Sequence, residues 1–371
     1  MITSGITSVT VSVVVPTYRR PDLLERCLKA LLAQTFAPDA YEIIIVDDGP
    51  ETPETRMLVE AWQQRLRDRY AVLMTTRVQR RISVPVTGSA EELFGKTVYE
   101  VSTAPVNFPM LRYLPAWNTR GPAAARNLGW RSAWGQIIAF TDDDTIPDAN
   151  WLANGVDAFV DGVAGVSGRV IVPLPEHPPT DTERNTTHLE RSHFVTANCF
   201  YRRTALEEAG GFDECFGMAW REDSDLFFTM QQRGWPLAWS KSAVVVHPVR
   251  PEKWGSSIGA QKKSYYNALL YKKHPALYRK FIQARPPWHY YGMVLSLSAG
   301  LVALLNGRQR AAKAGFAGWL AFMARFITNR LNGTSHAPAH VAEMTLTSLV
   351  IPFLSIYWRL RGAIKWRVWF L

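Results

Sequence analysis

The chain has 371 residues, of which 47% are hydrophobic and 20% are charged, so it is long enough for one large domain or two smaller ones. Its 14 Trp, 13 Tyr and 17 Phe, together with the apolar content, exclude an intrinsically disordered protein. Cys27, Cys199 and Cys215 are too few and too scattered for a disulfide framework or a zinc cluster, and they suggest a reducing compartment. Residues 1–10 have no basic start followed by a long apolar run, so we expect no secretory signal there.

The formal net charge of +10 is concentrated in the last quarter of the chain. Residues 279–371 contain 12 Lys and Arg and one acid, Glu343, whereas residues 1–278 contain 30 basic and 31 acidic residues. The same basic segment is rich in Leu, Ala, Phe and Trp. This combination favours an anionic membrane surface as a partner and argues against nucleic acid.

Strand and helix patterns alternate at the start of the chain. Residues 9–15 form a short β-branched run typical of a buried strand, and residues 22–34 carry apolar residues at helical spacing. A second apolar strand is predicted at 41–46, a mostly polar helix at 54–68 and a third strand at 70–76. This order predicts a parallel α/β sheet.

Residues 77–119 interrupt the alternation, with short β-like runs at 82–86 and 97–101 among Pro and Gly. We expect an inserted loop or hairpin there. After the interruption, the alternation of helices and strands continues. The predicted helices are 121–134, 148–160, 203–210, 222–233 and 255–273, and the predicted strands are 136–140, 163–172, 195–201 and 242–247.

Three of the predicted strands end in polar loops, at 16–19, 47–48 and 142–144. In open parallel sheets, ligands bind outside the carboxyl ends of the strands. Two acidic clusters at one edge of the sheet raise each other's carboxylate pKa values unless a cation is bound between them. Carboxylate oxygens are hard ligands that suit Mg²⁺ or Mn²⁺, and these ions usually also bind the phosphates of a substrate. Asp142 and Asp144, the first and third of three aspartates, can share one ion, while N-capping of the next helix is the alternative reading.

Six short motifs stand out along the chain: VVVPTYR (13–19), IVDDG (45–49), GPAAARN (121–127), FTDDD (140–144), GGFDE (210–214) and REDSDL (221–226). In this order and at this spacing they resemble those of a family 2 glycosyltransferase of GT-A fold, the first four its nucleotide-binding half and the last two its acceptor half. The resemblance covers about residues 9–250 and implies a Rossmann-like, mostly parallel sheet flanked by helices.

The resemblance also implies which residues contact a nucleotide sugar. Asp48, or its neighbour Asp47, would accept a hydrogen bond from the base, and Asp142 would contact the ribose side. The full set implied for the nucleotide sugar is Pro16, Thr17, Arg19, Asp47, Asp48, Arg126, Asn127, Asp142 and Asp143.

A metal site and a general base are implied in the same way. The metal ligands would be Asp144, Asp142 and His247, and the base would come from the Glu222–Asp223 pair, with Asp223 preferred. Sugar transfer needs a cation that stabilises the leaving diphosphate and a base within hydrogen-bond reach of the acceptor hydroxyl. A base opposite the leaving group implies single displacement with inversion. Acids are also favoured in a first helical turn, which is the structural alternative for this pair.

The C-terminal region is both apolar and basic. Residues 288–306 include 19 positions without Lys, Arg, Asp or Glu, which approaches a bilayer span. A single crossing would place Arg308, Arg310 and Lys313 opposite the catalytic domain, against the positive-inside tendency. We therefore expect interfacial or re-entrant helices on the cytoplasmic face of the cell membrane, with paired spans or a soluble helical subdomain as alternatives.

Just before this region, the basic run Lys272, Lys273 and His274 is most simply a solvated helix end, with contact to an anionic acceptor as the alternative. The expected organisation is a glycosyltransferase domain over 1–253, a helical connector over 254–285 and a membrane-associated tail over 286–371.

The expected function is inverting, metal-dependent transfer of a sugar from a nucleotide sugar to a lipid-linked or polysaccharide acceptor. Two alternatives are open. A sugar nucleotidyltransferase would need a Gly-rich phosphate loop after the first strand, and residues 16–21 contain no Gly. A non-catalytic scaffold of the same fold would not need Asp142, Asp144 and Asp223, and all three are present.

Overall fold

The computed structural model describes residues 9–78, 109–117, 120–250 and 252–370. In this part of the chain the strands form one eight-stranded sheet. They are β1 (Val11–Thr17), β2 (Tyr41–Asp47), β3 (Met110–Pro115), β4 (Ile137–Phe140), β5 (Ile146–Pro147), β6 (Gly165–Ile171), β7 (Cys199–Arg202) and β8 (Leu237–Val246).

The sheet has the order β3-β2-β1-β4-β7-β6-β8-β5. The first four strands in this order run parallel to one another, whereas β7 is antiparallel to both of its neighbours, β4 and β6. The sheet is therefore mixed, with the parallel half formed by the N-terminal part of the chain. The predicted α/β class with flanking helices is confirmed.

Helices cover both faces of the sheet, which explains why β1 and β2 are nearly continuous apolar runs. Alternate residues of these strands point to opposite faces, so Val14 and Ile44 belong to one hydrophobic cluster, and Val13 and Ile43 belong to the other. The helices are α1 (Pro21–Leu32), α2 (Glu54–Val78), α3 (Pro122–Arg131), α4 (Trp151–Asp157), α5 (Asp181–Thr186), α6 (Arg203–Ala209), α7 (Glu222–Gln232), α8 (Ser256–Ala260), α9 (Ser264–Lys273), α10 (Pro275–Phe281), α11 (Trp288–Leu305), α12 (Gln309–Leu331) and α13 (Pro338–Trp366).

The prediction of a third strand at 70–76 is wrong, because these residues continue α2 without interruption. The run is short and apolar, and periodicity alone does not separate a strand from a helix segment of that length. The strand that pairs with β2 is instead β3, from inside the region expected to be an inserted loop. The β-like runs at 82–86 and 97–101 lie outside the described residues.

Close packing fixes the position of α3 on the sheet. A Cβ atom added to Gly129 would lie 2.4 Å from Cγ1 of Val14 in β1, so only glycine permits this approach. The first turn of α3 begins at Pro122, after Gly121 in a left-handed conformation with φ of 98°. The N-terminal end of α3 therefore lies at the carboxyl edge of the parallel strands.

The C-terminal helices pack on the rest of the chain. Phe370 is buried in the same hydrophobic cluster as Ala268 of α9 and Tyr278 of α10. A Cβ on Gly362 of α13 would lie 2.5 Å from the carbonyl oxygen of Tyr265. Packing thus continues from the sheet through α9 and α10 to the end of the described chain, and the boundaries at 253 and 285 stay predictions.

Two helices among the described residues, α11 and α13, are long and apolar enough to cross a membrane by length and composition. Helix α11 packs against α12, and Gly300 and Gly315 face each other at the crossing, where a Cβ on Gly315 would lie 2.6 Å from the Gly300 Cα. Large apolar side chains nevertheless remain exposed on this region, including Leu295, Leu305 and Ile364.

Candidate functional site

The carboxyl ends of β1, β2 and β4 meet at one edge of the sheet. Thr17 of β1 lies opposite Asp47 of β2, and Val14 lies opposite Phe140, which ends β4. The polar loops that follow these strands are therefore neighbours, as the sequence predicts. Pro16 lies within β1, and Arg19 follows it in a left-handed conformation with φ of 53°.

Asp143 connects two of these loops. Its Oδ2 accepts a hydrogen bond of 2.7 Å from the Thr17 hydroxyl, and its Oδ1 lies 3.3 Å from a guanidinium nitrogen of Arg20. Burial raises the pKa of Asp143 to about 6, although both partners oppose the increase. Thr17 and Asp143 thus hold the first and third loops together, and both are occupied by this contact.

Asp47 and Asp48 have different surroundings. Asp47 is fully buried and accepts hydrogen bonds from the Gly49 amide at 3.0 Å and from the Tyr113 hydroxyl at 2.8 Å. Both oxygens of Asp48 lie 3.0 Å from one donor, the amide of Gly121. Burial raises the pKa of both carboxyl groups. Asp48 therefore keeps more acceptor capacity than Asp47.

Tyr113 was not identified from the sequence because it lies in the region expected to be an insertion. It lines a cleft of about 220 Å³ next to Asp47, together with Trp117, Arg56 and Glu51. The adjacent Pro115 in β3 pairs with Asp47 and so places this cleft beside the β2 end of the edge. From the sequence, Tyr113 could have been placed at this edge only by assigning residues 110–115 to a strand.

Arg126 of α3 joins the two halves of the predicted site. One terminal nitrogen donates to Asp142 Oδ1 at 2.8 Å, and the other donates to Glu222 Oε1 at 2.9 Å. The Arg126 side chain is only 3% exposed. Although burial lowers its pKa, Asp142 and Glu222 outweigh that effect, so the net shift is upwards. The acidic triple and the Glu222–Asp223 pair are therefore parts of one site.

Asn127 has a structural environment. Its amide nitrogen donates to the Phe212 carbonyl and to Glu214, each at 2.8 Å, and its oxygen accepts from the Phe212 amide and the Trp130 indole. These four contacts use the hydrogen-bonding capacity of the buried side chain. Asn127 thus joins α3 to the GGFDE motif. Its contacts indicate a role in holding the helix that carries Arg126.

Three acids of α7 can be told apart by their contacts. Glu222 is 3% exposed and is held by Arg126, while Asp223 is half-buried and Oδ1 contacts only the amide and hydroxyl of Ser224. Its Oδ2 has no hydrogen-bond partner in the described chain. Burial raises the pKa of both Glu222 and Asp223, with Arg126 opposing the rise for Glu222 and Arg221 for Asp223.

Asp225 is held on both sides by the C-terminal end of α9. Its Oδ1 lies 3.0 Å from Nε2 of His274, and its Oδ2 accepts from Lys273 at 2.7 Å. Lys273 also donates to Asp213 at 2.7 Å, and His274 is only 4% exposed. The prediction of a solvated helix end therefore holds for exposed Lys272 but is wrong for His274, which is buried, and Lys273, although exposed, forms an ion pair with the buried Asp225.

Asp144 and His247 are brought together by the pairing of β5 with β8. Asp144 Oδ1 lies 3.5 Å from His247 Nε2, and Asp144 Oδ2 lies 3.1 Å from Nε of Arg250. His247 Nδ1 is buried without a hydrogen-bond partner. The structure thus unites two of the three predicted metal ligands, while Asp142 is engaged by Arg126. No group of three or more His, Cys, Asp or Glu side chains positioned for a metal is found in the described ranges.

These features agree with the comparisons with known proteins. The model of glycosyl transferase family 2 matches residues 12–83 and 98–223, more than half of the chain. The chain is 25% identical over 252 residues to the glycosyltransferase AglE of Haloferax volcanii, covering 65% of this chain and 67% of AglE. It is 25% identical over 276 residues to validoxylamine A glucosyltransferase of Streptomyces hygroscopicus, covering 72% of this chain but only 57% of the relative.

Among solved structures, the mannosyltransferase PcManGT of Pyrobaculum calidifontis, in complex with GDP-Man and Mn²⁺, has a similar fold. The TM-score is 0.51 at 19% identity, over 96% of this chain and 86% of PcManGT. This likeness supports the GT-A fold class, and the match to the family model covers all four motifs of the nucleotide-binding half and reaches Asp223. The chain belongs to glycosyltransferase family 2.

Proposed function

We propose that this glycosyltransferase moves a sugar from a nucleoside diphosphate sugar to an acceptor hydroxyl by single displacement with inversion. The observation that carries the proposal is the position of Arg126, which contacts Asp142 on the donor side and Glu222 on the acceptor side. Both acidic motifs are thereby part of one site. Asp223 is partly exposed and, in the described chain, accepts side-chain hydrogen bonds only from Ser224, whereas Glu222 is buried and held by Arg126 through Oε1, with Oε2 buried and unpaired.

The donor pocket follows from the loops at the sheet edge. We assign the nucleotide to Pro16, Arg19 and Asp48, with Asp48 accepting from the base because its oxygens share a single amide donor. Thr17, whose hydroxyl donates to Asp143, holds the first loop in place. Asp47, Asp143 and Asn127 contribute by holding these loops, since their polar atoms are occupied by protein partners. The GDP-Man bound to PcManGT supports a nucleoside diphosphate sugar as the donor class.

The Asp144–His247 pair fits a divalent cation such as Mg²⁺ or Mn²⁺. Its facing atoms are only 3.5 Å apart, and they are hard oxygen and imidazole donors. Such ions commonly bind through one or two side chains and complete their coordination with substrate phosphates and water. When bound, the ion would neutralise charge on the departing diphosphate. Arg250, which contacts the other oxygen of Asp144, adds a second positive charge beside that position.

Asp223 acts as the general base in this proposal, and Glu222 holds Arg126 in place. The acceptor hydroxyl gives its proton to Asp223, its oxygen bonds to the anomeric carbon, and the bond from that carbon to the diphosphate oxygen breaks. The raised pKa of Asp223, caused by burial, makes its carboxylate a stronger base than an exposed aspartate. Asp225 is excluded from this role because Lys273 and His274 occupy both of its oxygens.

We also propose that the C-terminal helices attach the enzyme to the cytoplasmic face of an anionic membrane, where the acceptor is lipid-linked or a growing polysaccharide. Exposed apolar Ile364 lies on α13 together with Arg361 and Lys365, and exposed Leu305, at the end of α11, is followed closely by Arg308 and Arg310. Apolar area and basic charge together produce binding to anionic bilayers. The apolar length of α11 and α13 is compatible with interfacial, re-entrant or paired spanning placement.

The test is a screen of the purified full-length protein against nucleoside diphosphate sugars with Mn²⁺, with Mg²⁺ or with a chelator. We expect metal-dependent release of the nucleoside diphosphate from one donor, strong loss in Asp223→Asn, and no loss in Asp161→Asn, a surface control. Diphosphate release from a nucleoside triphosphate and a sugar phosphate would instead show a nucleotidyltransferase. Absence of nucleotide binding and turnover with every donor would leave the scaffold alternative.

A further inference from the structure

Two cations lie against one indole ring next to the proposed base. The guanidinium carbon of Arg221 is 4.3 Å from the centre of the Trp220 ring, and the Lys263 ammonium is 4.7 Å from the same ring. Asn267 of α9 accepts hydrogen bonds of 3.0 Å from the Trp220 indole and from Nε of Arg221. We call Trp220, Arg221, Lys263 and Asn267 the Trp220 cluster.

Neither cation of the Trp220 cluster is in direct contact with an acid of the described chain, although Asp223 and Glu222 act on Arg221, and Glu252 and Glu222 act on Lys263, from a greater distance. No carboxylate of the described chain lies within 4.0 Å of the charged nitrogens of Arg221 or Lys263. Within the described ranges, Arg221 donates a side-chain hydrogen bond only from Nε, and the Lys263 ammonium donates no hydrogen bond. Both side chains are half-buried. Burial lowers the pKa of both, and for Lys263 the nearby Arg221 adds to this effect.

Two neighbouring, partly desolvated cations repel each other, and an anion bound between them relieves that repulsion. Contacts with the Trp220 ring stabilise both cations, but they leave the N–H donors unsatisfied. Arg221 is also one of the four non-glycine residues with positive φ in the described chain, at 80°. Strain of this kind is most often kept where a residue serves a ligand.

The position of the cluster indicates which substrate would provide the anion. Arg221 directly precedes Glu222 and Asp223, so the cluster lies beside the carboxylate that faces the acceptor. Glu222 turns to Arg126 and the donor-side Asp142, whereas Arg221 turns to Asn267 of α9. The diphosphate of the donor is assigned to Asp144, His247 and Arg250, next to Asp142, which contacts the other terminal nitrogen of Arg126.

We propose that Arg221 and Lys263 bind a phosphate group carried by the acceptor, close to the hydroxyl that receives the sugar. This inference rests on the proposed function and narrows its acceptor class to phosphorylated alcohols. The phosphate stays on the acceptor and takes no part in bond making, while the hydroxyl proton passes to Asp223. Arginine and lysine together suit a phosphate, because the guanidinium fork and the ammonium both donate to its oxygens.

The probe is sn-glycerol 3-phosphate, which carries hydroxyls beside a phosphate. Calorimetry measures its binding to the full-length protein saturated with nucleoside diphosphate and Mn²⁺, so that the donor phosphate sites are filled. We expect Lys263→Gln to weaken probe binding at least tenfold and Lys263→Arg to retain it. Lys262→Gln is the matched control, because Lys262 is the exposed neighbour and stacks on a different ring, Trp358.

Two further arms identify the source of the phosphate. Phosphatidylglycerol and diacylglycerol, each in neutral vesicles, are compared as acceptors with glycerol and sn-glycerol 3-phosphate in solution. A phosphate-dependent gain in turnover with the lipid pair points to a membrane headgroup, and the same gain with the soluble pair points to a soluble phosphorylated acceptor. Either gain should disappear in Lys263→Gln.

Several outcomes would overturn the inference. They are no probe binding to the parent protein, equal loss in Lys262→Gln, or weakened nucleoside diphosphate affinity in Lys263→Gln with probe binding unchanged. The last result would assign the cluster to the donor. Failure of the proposed function looks different, because it appears as absent donor turnover in the parent, whereas probe calorimetry does not depend on turnover.

Discussion

The guanidinium of Arg126 lies 2.9 Å from Oε1 of Glu222, a residue 96 positions later in the chain. Both side chains are only 3% exposed, and the second terminal nitrogen of Arg126 contacts Asp142. A helix that starts at the edge of the parallel strands is thereby tied to the helix that carries the proposed base. This contact keeps the donor and acceptor halves of the site in a fixed relation.

Replacing Arg126 by Met is expected to destabilise the fold as well as abolish turnover. Removal of one partner leaves buried Glu222 uncompensated, which costs about 3–5 kcal/mol. Chemical denaturation measures the loss. Arg131→Met is the control on the same helix, because Arg131 is about half exposed and lies 3.6 Å from Glu214, so we expect a change of no more than about 1 kcal/mol. Similar stability of the two variants would contradict the role assigned to Arg126.

Asp223→Asn is expected to reduce turnover at saturating donor by roughly 10²–10⁴-fold and to leave donor affinity unchanged. Asn has nearly the same shape but does not accept the proton. Asp225→Asn should behave in the opposite way, losing stability through its contacts with Lys273 and His274. Steady-state kinetics and thermal unfolding of both variants separate the two effects. Near-parental turnover of Asp223→Asn would remove this residue from the base role.

The pH dependence of turnover should report the environment of Asp223. A base works only when deprotonated, and burial raises the pKa of this carboxyl, so activity should disappear on acidification at a higher pH than for an exposed aspartate. Because the Arg221 cation opposes the rise, Arg221→Gln should move the acidic limb to still higher pH. Rate profiles of the parent, Arg221→Gln and the surface control Arg131→Gln test this. A limb at the same pH in all three proteins would argue against Asp223 as the titrating base.

Asp144→Asn should abolish metal-dependent nucleotide binding while leaving the fold intact, because Asp144 faces His247 across 3.5 Å. Asp148→Asn is the matched control, since Asp148 is an exposed aspartate four residues later, directly after β5. Calorimetry of nucleoside diphosphate binding with and without Mn²⁺ gives the result. Equal Mn²⁺-dependent gains in Asp144→Asn and in the parent would place the ion elsewhere.

Membrane attachment is best tested by charge, because the tail packs on the catalytic part through residues such as Phe370 and deletion would expose that core. Replacing Arg308, Arg310 and Lys313 by Gln should weaken binding to anionic vesicles by up to about 3 kcal/mol, at about 1 kcal/mol for each basic residue. Flotation with phosphatidylglycerol and phosphatidylcholine vesicles measures it. The control replaces three exposed basic residues far from the tail in sequence, Arg26, Lys29 and Arg67, and an equal loss there would show nonspecific charge attraction.

Local sequence patterns were sufficient for the sheet edge. The buried runs of β1, β2 and β4 each lead into polar residues, and parallel strands bring such ends together whatever the rest of the chain does. The third strand was misassigned because 70–76 and 110–115 are both short, moderately apolar segments. Periodicity does not distinguish them, and the choice depends on which segment can pair with the free edge of β2.

The sequence by itself determined the order of motifs, the family resemblance and the uneven distribution of charge, since these depend on residue identity and spacing. Only the tertiary structure decided which acids are engaged, because the partners come from distant segments: Thr17 for Asp143, Arg126 for Glu222, and Lys273 with His274 for Asp225. A carboxylate's availability depends on what is packed within about 3 Å of it, and that distance is set by the fold. Asp223 differs from Glu222 and Asp225 because it is partly exposed and its hydrogen bonds in the described chain come only from Ser224, the next residue.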